Sequence, residues 1–98
     1  MVYKVRLLNK SKKYLKKLKE RKLKEKFVNG IYKEIANHPY SFYSKIGDLA
    51  GIYAYPFTYK GTQYRIAYTI NDKDEIVIII LTGSHEKFYE KLKRLINN

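Results

Sequence analysis

Hydrophobic and polar positions alternate at the start of the chain and then take a helical period. From Val2 to Leu8 apolar side chains occupy every second position, which is typical of a strand with one covered face. From Lys12 to about Asn37 apolar residues recur three and four positions apart, which indicates amphipathic helix. A polar run at residues 19–22 divides this stretch, so two helices joined by a turn are predicted, with one long bent helix as the alternative. Asn9 or Ser11 is expected to cap the first helix through its side-chain oxygen.

The second half of the chain alternates in the manner of strands. Ile52–Tyr59 and Tyr64–Ile70 each place large apolar residues on one face, and Pro56 implies a bulge or a free edge in the first of them. Ile76–Leu81 is continuously apolar, which indicates a central strand that is covered on both faces. A final amphipathic helix is expected from about His85.

These elements predict an α+β fold in the order β-α-α-β-β-β-α. A helical hairpin is expected to pack on one face of a mostly antiparallel sheet of four or five strands, and the last helix to cover another part of it. A chain of this length supports one core, so residues 1–98 are expected to form a single domain.

The charge narrows the choice of partners. Lys and Arg total 21 against nine Asp and Glu, a net charge of +12. Residues 10–26 alone hold ten basic residues and two Glu, a net +8. Such a field attracts polyanions, which leaves nucleic acid, an anionic membrane surface or an acidic protein. The expected phosphate-binding stripe, for which a solvated helix surface is the alternative, consists of Lys12, Lys13, Lys16 and Lys19.

Several classes of protein are disfavoured. The chain has no cysteine, which excludes disulfides and thiol catalysis and fits a cytoplasmic location. Its longest apolar run, Ile76–Leu81, is far shorter than the ~20 residues of a membrane-spanning helix, and the start lacks a secretory apolar core. Neither clustered metal ligands nor a Gly-rich phosphate loop occurs, so no metal or cofactor is expected.

RNA cleavage needs neither metal nor thiol, because the 2′-hydroxyl of RNA can attack the adjacent phosphate. His85 follows the buried strand and could act as acid or base near neutral pH. Arg65 could hold phosphate oxygens through two parallel hydrogen bonds. Tyr89 is expected one helical turn after His85 on the same face. Capping or packing is the alternative role for His85, and an ion pair with Glu86 or Asp48 is the alternative for Arg65.

Four segments together resemble the RelE/ParE toxin superfamily. They are Leu49–Tyr53, Tyr64–Ile70, Ile76–Leu81 and His85–Tyr89, which match a Leu-x-Gly, a "Y-R-x-x-Y" strand, an apolar last strand and an H-x-x-x-Y ending. The likeness covers nearly the whole chain in order and length. It implies a β-α-α-β-β-β core with a C-terminal helix.

For the RelE branch, the resemblance implies a toxin that enters the ribosomal A site and cuts mRNA, and a cognate antitoxin that blocks it. The toxin alone would be monomeric and its complex of higher order. The matching positions imply that Arg65 stabilises the phosphate, His85 is catalytic and Tyr89 stacks on or orients the nucleotide. Lys60 occupies a position near that of a catalytic lysine, and Lys45 is a further candidate for phosphate contact.

The chain also departs from the family pattern. The strand around Pro56 lacks the basic residue often found there, and no residue matches the catalytic glutamate of some members, so the identity of the general base stays open. Two alternatives remain. One is a ParE-like inhibitor of DNA gyrase or another topoisomerase, and the other is a non-catalytic module that binds RNA or the ribosome.

Overall fold

A computed structural model describes residues 2–45 and 47–97. These residues form five strands and three α-helices, and α2 continues directly into a π-helical segment. In chain order the elements are β1 (Lys4–Leu7), α1 (Asn9–Lys17), α2 (Arg21–Asn29), the π-helical segment (Gly30–Ile35), β2 (Tyr43–Ser44), a short 3-10 turn (Gly47–Leu49), β3 (Tyr53–Tyr59), β4 (Thr62–Ile70), β5 (Ile76–Ser84) and α3 (Phe88–Ile96).

The five strands make one mixed sheet in the order β1-β5-β4-β3-β2. β1 runs parallel to β5, and every other neighbouring pair is antiparallel. This confirms the predicted α+β class, with two helices after the first strand and the apolar strand inside the sheet. The predicted turn between two helices is also confirmed, since residues 18–20 separate α1 from α2.

Alternation along β4 builds two cores on the two faces of the sheet. Ile66 and Tyr68 point to the face that α1, α2 and the π-helical segment cover, whereas Ala67 points to the face covered by α3. On the first face Phe27 is fully buried, and its ring meets that of Phe57 edge to face at 4.8 Å. On the second face the buried side chains that α3 contributes are Phe88 and Leu92.

The predicted side-chain cap of the first helix is wrong. The helix begins at Asn9, its N-cap residue is Leu8, and no side chain caps it. The amide of Leu8 donates to the carbonyl of Ile79 at 3.0 Å. The helix therefore begins at the residue directly after this hydrogen bond to β5, with no loop between the strand and the helix. Ser11 is fully buried, and its hydroxyl lies 3.5 Å from the same carbonyl oxygen.

The predicted start of the last helix, near His85, is also wrong. α3 begins at Phe88, and Lys87 before it has a left-handed backbone with φ 52°. His85 lies in the turn between β5 and the helix, where its carbonyl accepts the amide of Phe88 at 3.2 Å. His85 and Tyr89 therefore do not share a helical face.

Pro56 lies on a free edge and not in a bulge. β3 pairs with β4 in continuous register, whereas β2 pairs only with Tyr53 and Ala54. Among the described residues no strand pairs with Pro56 on its other side, so the missing amide hydrogen leaves no ladder bond unmade.

Candidate active site

Two cations lie on the ring of Tyr89, on the sheet face that α3 covers. The guanidinium carbon of Arg65 is 5.4 Å from the ring centroid, and Nζ of Lys45 is 4.6 Å from it. Both distances are in the range of cation–π attraction. Arg65 comes from β4, Tyr89 from the first turn of α3, and Lys45 from the residue after β2. The fold thus gathers three of the residues that the sequence singled out.

The strand next to Arg65 leaves room for its long side chain. Arg65 pairs in register with Gly83 of β5, and a Cβ atom built on Gly83 would meet no atom within 4 Å. A larger residue there would stand directly across from Arg65 on the same face. The absence of a side chain at Gly83 keeps open the surface beside the guanidinium group.

Gln63 connects Arg65 to His85. Its side-chain carbonyl Oε1 accepts a hydrogen bond from Arg65 Nη2 at 2.9 Å. Its backbone carbonyl accepts the amide of His85 at 2.8 Å. Arg65 is half-buried, whereas His85 is exposed. The two residues are therefore held at the same end of the β4–β5 pair by one intervening residue.

Sequence reasoning missed Gln63. It lies one residue before the predicted start of the strand at Tyr64, whereas the observed strand begins at Thr62, so Gln63 and Arg65 lie two positions apart on one face. That spacing was the available signal. A neutral amide at this position does not suggest a functional role until the direction of the Arg65 side chain is known.

In the part of the chain that the structure describes, the cations of this cluster are not neutralised by carboxylates. Within residues 2–45 and 47–97, neither Arg65 nor Lys45 forms an ion pair. Arg65 is not paired with Asp48, which lies 3.8 Å from Lys93 Nζ instead. The partner of Arg65 is the neutral amide of Gln63. The positive field is thus available to an anion such as a phosphate, to which arginine can offer two parallel donors.

Lys60 is placed apart from this cluster. It lies in the turn between β3 and β4, and its Nζ forms an ion pair with Glu20 at 2.8 Å. That hydrogen bond and the negative charge of Glu20 raise the pKa of Lys60. Glu20 belongs to the connection between α1 and α2, on the opposite side of the sheet from α3. The structure brings Lys60 to the helical hairpin, and its catalytic role stays a prediction.

The lysines of the predicted phosphate-binding stripe are exposed on α1 and the loop after it. The inner side of this helix is anchored by Leu15 in the core of the first sheet face. The stripe therefore belongs to a helix that covers the first sheet face, whereas Tyr89 of the Arg65–Tyr89 cluster packs on the second. The stripe residues are Lys12, Lys13, Lys16 and Lys19.

Two further properties of the described chain bear on its chemistry. No group of three His, Cys, Asp or Glu side chains that could hold a metal ion occurs within residues 2–45 and 47–97. Over the same residues, none of the helices combines the length and the apolar character needed to cross a membrane.

Comparison with known proteins identifies the family. A sequence model of the ParE-like toxins of type II bacterial toxin–antitoxin systems matches residues 5–93. The chain therefore belongs to this family and is a toxin of a type II toxin–antitoxin system. No curated protein sequence matches it at a significant level.

Solved RelE structures share the fold. A mutant of E. coli RelE in the free state superposes with a TM-score of 0.72 at 21% identity, covering 97% of this chain and 99% of that one. A chain of the toxin–antitoxin complex RelBE2 from Mycobacterium tuberculosis gives 0.70 at 23%, covering 87% and 100%. The same E. coli mutant bound to a RelB antitoxin peptide gives 0.68 at 22%, covering 96% and 98%. The RelE-like fold that the sequence predicted is confirmed.

Proposed function

We propose that this toxin cuts mRNA in the ribosomal A site through attack by the RNA's own 2′-hydroxyl. The proposal rests chiefly on one observation. Arg65 and Lys45 converge on Tyr89, no carboxylate of the described residues pairs with either cation, and His85 lies at the same end of β4 and β5. This arrangement supplies the two things that RNA cleavage without a metal requires, namely positive charge at the phosphate and a group that transfers protons near neutral pH.

The chemistry balances with these residues. The 2′-oxygen forms a bond to phosphorus while the bond to the 5′-oxygen breaks, which yields a 2′,3′-cyclic phosphate and a free 5′-hydroxyl. Arg65 and Lys45 stabilise the additional negative charge that gathers on the phosphate oxygens in the transition state. His85 transfers one of the two protons that must move, either from the 2′-hydroxyl or to the 5′-oxygen, and water takes or supplies the other, while Tyr89 orients the nucleotide and the two cations.

A cognate antitoxin belongs to the same proposal. Two of the solved relatives contain an antitoxin beside the toxin, one as the RelBE2 complex and one as a RelB peptide. The net charge of +12 favours an acidic partner for this chain. We expect the antitoxin to silence the toxin until it is removed.

The test uses the two histidines of the chain as a matched pair. His85→Ala and His38→Ala each remove one exposed imidazole, and only the first lies beside Gln63. Wild type, both variants and a mock sample are added to a translation extract, and the 5′ ends of the mRNA are mapped. We expect new ends, dependent on translating ribosomes, with wild type and with His38→Ala, and none with His85→Ala. Full cleavage by His85→Ala would remove His85 from the mechanism.

The family match supports one alternative, a ParE-like inhibitor of DNA gyrase or another topoisomerase. Such a toxin would block supercoiling of plasmid DNA and leave mRNA intact. A supercoiling assay run beside the translation extract separates the two functions. Ribosome binding without cleavage and without loss of supercoiling would instead indicate a non-catalytic module.

A further inference from the structure

A recess of about 460 Å³ opens beside β1, at the outer edge of the sheet. Its walls come from β1, from the start of α1 and from the π-helical segment. The residues that line it include Val5, Arg6, Leu7, Asn9, Lys12 and Tyr32. None of its lining residues belongs to the Arg65–Tyr89 cluster, and the proposed cleavage reaction does not use this recess.

One wall of the recess is the free edge of β1. The amides of Lys4 and Leu8 both donate to carbonyls on the β5 side of the strand. Because alternate residues of a strand bond to the same neighbour, the backbone groups of Val5 and Leu7 point away from β5. Within residues 2–45 and 47–97 no strand pairs with β1 on that side. Two backbone donors and two backbone acceptors therefore face the recess.

This free edge is too short to receive a further strand. At one end the amide of Tyr3 donates to the carbonyl of Ala36 at 2.9 Å, where the π-helical segment ends. At the other end the chain enters α1 at Asn9. The edge from Val5 to Leu7 spans about 7 Å, whereas paired strands are usually about five or six residues long. Its donors and acceptors are better matched to the hydrogen-bonding edge of one nucleobase.

Another wall carries a tyrosine ring that packs in neither core. Tyr32 lies in the π-helical segment and is 47% exposed. It is absent from both clusters of core side chains, and no aromatic ring of the described chain packs against it. An open tyrosine face is a surface on which any base can stack. π-helical turns are also frequent at functional sites.

The recess is basic and adjoins the phosphate-binding stripe. Arg6 and Lys12 line it, and no acidic side chain of the described residues does. Lys12 is also the first residue of the stripe, and Lys16 follows one helical turn later on the same face of α1. An RNA strand whose phosphates follow the stripe would therefore bring one nucleotide to the recess.

We propose that this recess binds one unpaired nucleotide of the RNA that the stripe contacts. The inference rests on the proposed function, in which that RNA belongs to the ribosome. The base stacks on Tyr32 and offers its hydrogen-bonding edge to the backbone of Val5 and Leu7, while Arg6 and Lys12 attract its phosphates. The stripe alone would bind any phosphate backbone, whereas the recess selects RNA that displays a base outside a duplex.

The experiment compares two RNA hairpins that differ by one bulged 2-aminopurine, a base whose fluorescence falls when it stacks. Both hairpins carry 2′-O-methyl groups, which prevent the proposed cleavage, and a terminal dye, which reports binding through anisotropy. We expect the purified toxin to bind the bulged hairpin about tenfold more tightly than the fully paired one, and to quench the bulged base. Equal affinity for the two hairpins would overturn the inference.

Two matched pairs of variants locate the bound base. Tyr32→Ala should lose both the preference and the quenching, and keep the affinity for the paired hairpin. Its control, Tyr43→Ala, removes a tyrosine that is 66% exposed and lies outside the recess, and should behave as wild type. Arg6→Ala should reduce the preference more than Lys4→Ala, which removes the same charge from an exposed position of the same strand. Quenching that persists in Tyr32→Ala would contradict the proposed stacking.

Two further outcomes would assign the binding elsewhere. Quenching that is lost in Tyr89→Ala but kept in Tyr32→Ala would place the base in the candidate active site and overturn the inference. Backbone hydrogen exchange tests the strand edge, since the bulged hairpin should slow exchange of the Val5 and Leu7 amides and the paired hairpin should not. If a peptide of alternating Glu and Val slowed these amides and the bulged hairpin did not, the edge would be a peptide site instead.

The same samples separate this inference from the proposed nuclease. A toxin that cuts mRNA on translating ribosomes but does not distinguish the two hairpins contradicts only the nucleotide-binding recess. A toxin that prefers the bulged hairpin through Tyr32 but cuts no mRNA contradicts only the cleavage reaction.

Discussion

The guanidinium group of Arg65 lies 5.4 Å from the ring centroid of Tyr89, although one residue belongs to the middle strand of the sheet and the other to the final helix. The docking of α3 therefore does more than cover the second core. It places the ring of Tyr89 where both Arg65 and Lys45 contact it, and these contacts hold the two flexible cationic side chains close together. A cation that is already held in place stabilises the transition state more strongly than a mobile one, because little reorganisation is needed when the reaction occurs.

The ring of Tyr89 and its hydroxyl can be tested separately. Tyr89→Phe keeps the aromatic face, so we expect cleavage close to that of wild type if the ring holds the cations. Tyr89→Ala removes the face, and displacement of Arg65 and Lys45 should slow cleavage on the order of 10²-fold. Single-turnover cleavage of mRNA on purified ribosomes measures both rates. A large loss in Tyr89→Phe would instead assign the chemistry to the hydroxyl.

The hydrogen bond from Arg65 to Gln63 predicts an ordered series of rates. Gln63→Ala removes the acceptor and frees the guanidinium group, which should slow cleavage by about tenfold. Gln63→Glu replaces the acceptor with a carboxylate that pairs with Arg65 and competes with the phosphate, so the loss should be larger. Both changes keep the backbone carbonyl that accepts the amide of His85. Cleavage by Gln63→Glu at the wild-type rate would contradict a role for Gln63 in positioning Arg65.

The exposed lysines of the helical hairpin should govern the salt dependence of ribosome binding. Reversing Lys12, Lys16 and Lys19 to Glu removes three candidate phosphate contacts, so the slope of log affinity against log salt should fall by about 2 to 3. Sedimentation binding assays at several salt concentrations measure that slope. A control with the same charge change at exposed positions outside the stripe is Lys4→Glu, Lys33→Glu and Lys73→Glu. Identical slopes for the two variants would reject the stripe.

The strands were predictable from the sequence because the packing around each strand leaves its own pattern of apolar residues. β4 separates two cores, so its residues alternate between large apolar side chains on one face and Arg65 and Ala67 on the other. β5 is apolar on both sides because helices cover both its faces. Its end was placed too early, at Leu81, since Thr82–Ser84 does not read as a strand. Those residues are held in the sheet by β4 across the ladder, which is a tertiary effect.

The sequence predicted which residues belong to the candidate site, but not how their side chains are arranged. Arg65 and Tyr89 were singled out by residue type, spacing and family resemblance, yet their contact depends on the angle at which α3 returns to the sheet. That angle is set by the turn at His85 and by the left-handed backbone of Lys87. Neither conformation can be predicted from the spacing of apolar residues in the sequence. The approach of Lys45 to Tyr89 likewise depends on docking between segments distant in sequence.

A cluster at the far end of the sheet predicts how stability depends on pH. The carboxylate of Asp74, in the turn between β4 and β5, accepts hydrogen bonds from the hydroxyls of Tyr40 at 2.5 Å and Tyr3 at 2.8 Å. Both hydrogen bonds lower the pKa of Asp74, and the one from Tyr40 has the larger effect. The same bonds favour the neutral phenols and raise the pKa of Tyr40 to about 12. The three side chains tie the start of β1 and the segment before β2 to one turn.

Replacing Asp74 with Asn should therefore destabilise the protein in a pH-dependent way. A carboxyl whose pKa is lower in the folded state stabilises the fold above its ordinary value of ~3.9, and that contribution is lost as pH falls through the folded pKa. Asn tolerates the left-handed backbone of this position, φ 59°, so the change removes the charge and leaves the turn intact. Urea unfolding midpoints should be lower than wild type at pH 7 and converge with wild type as the pH drops below the folded pKa. Asp72→Asn in the same turn is the control, and a gap for Asp74→Asn that does not change with pH would show that these hydrogen bonds do not depend on the charge.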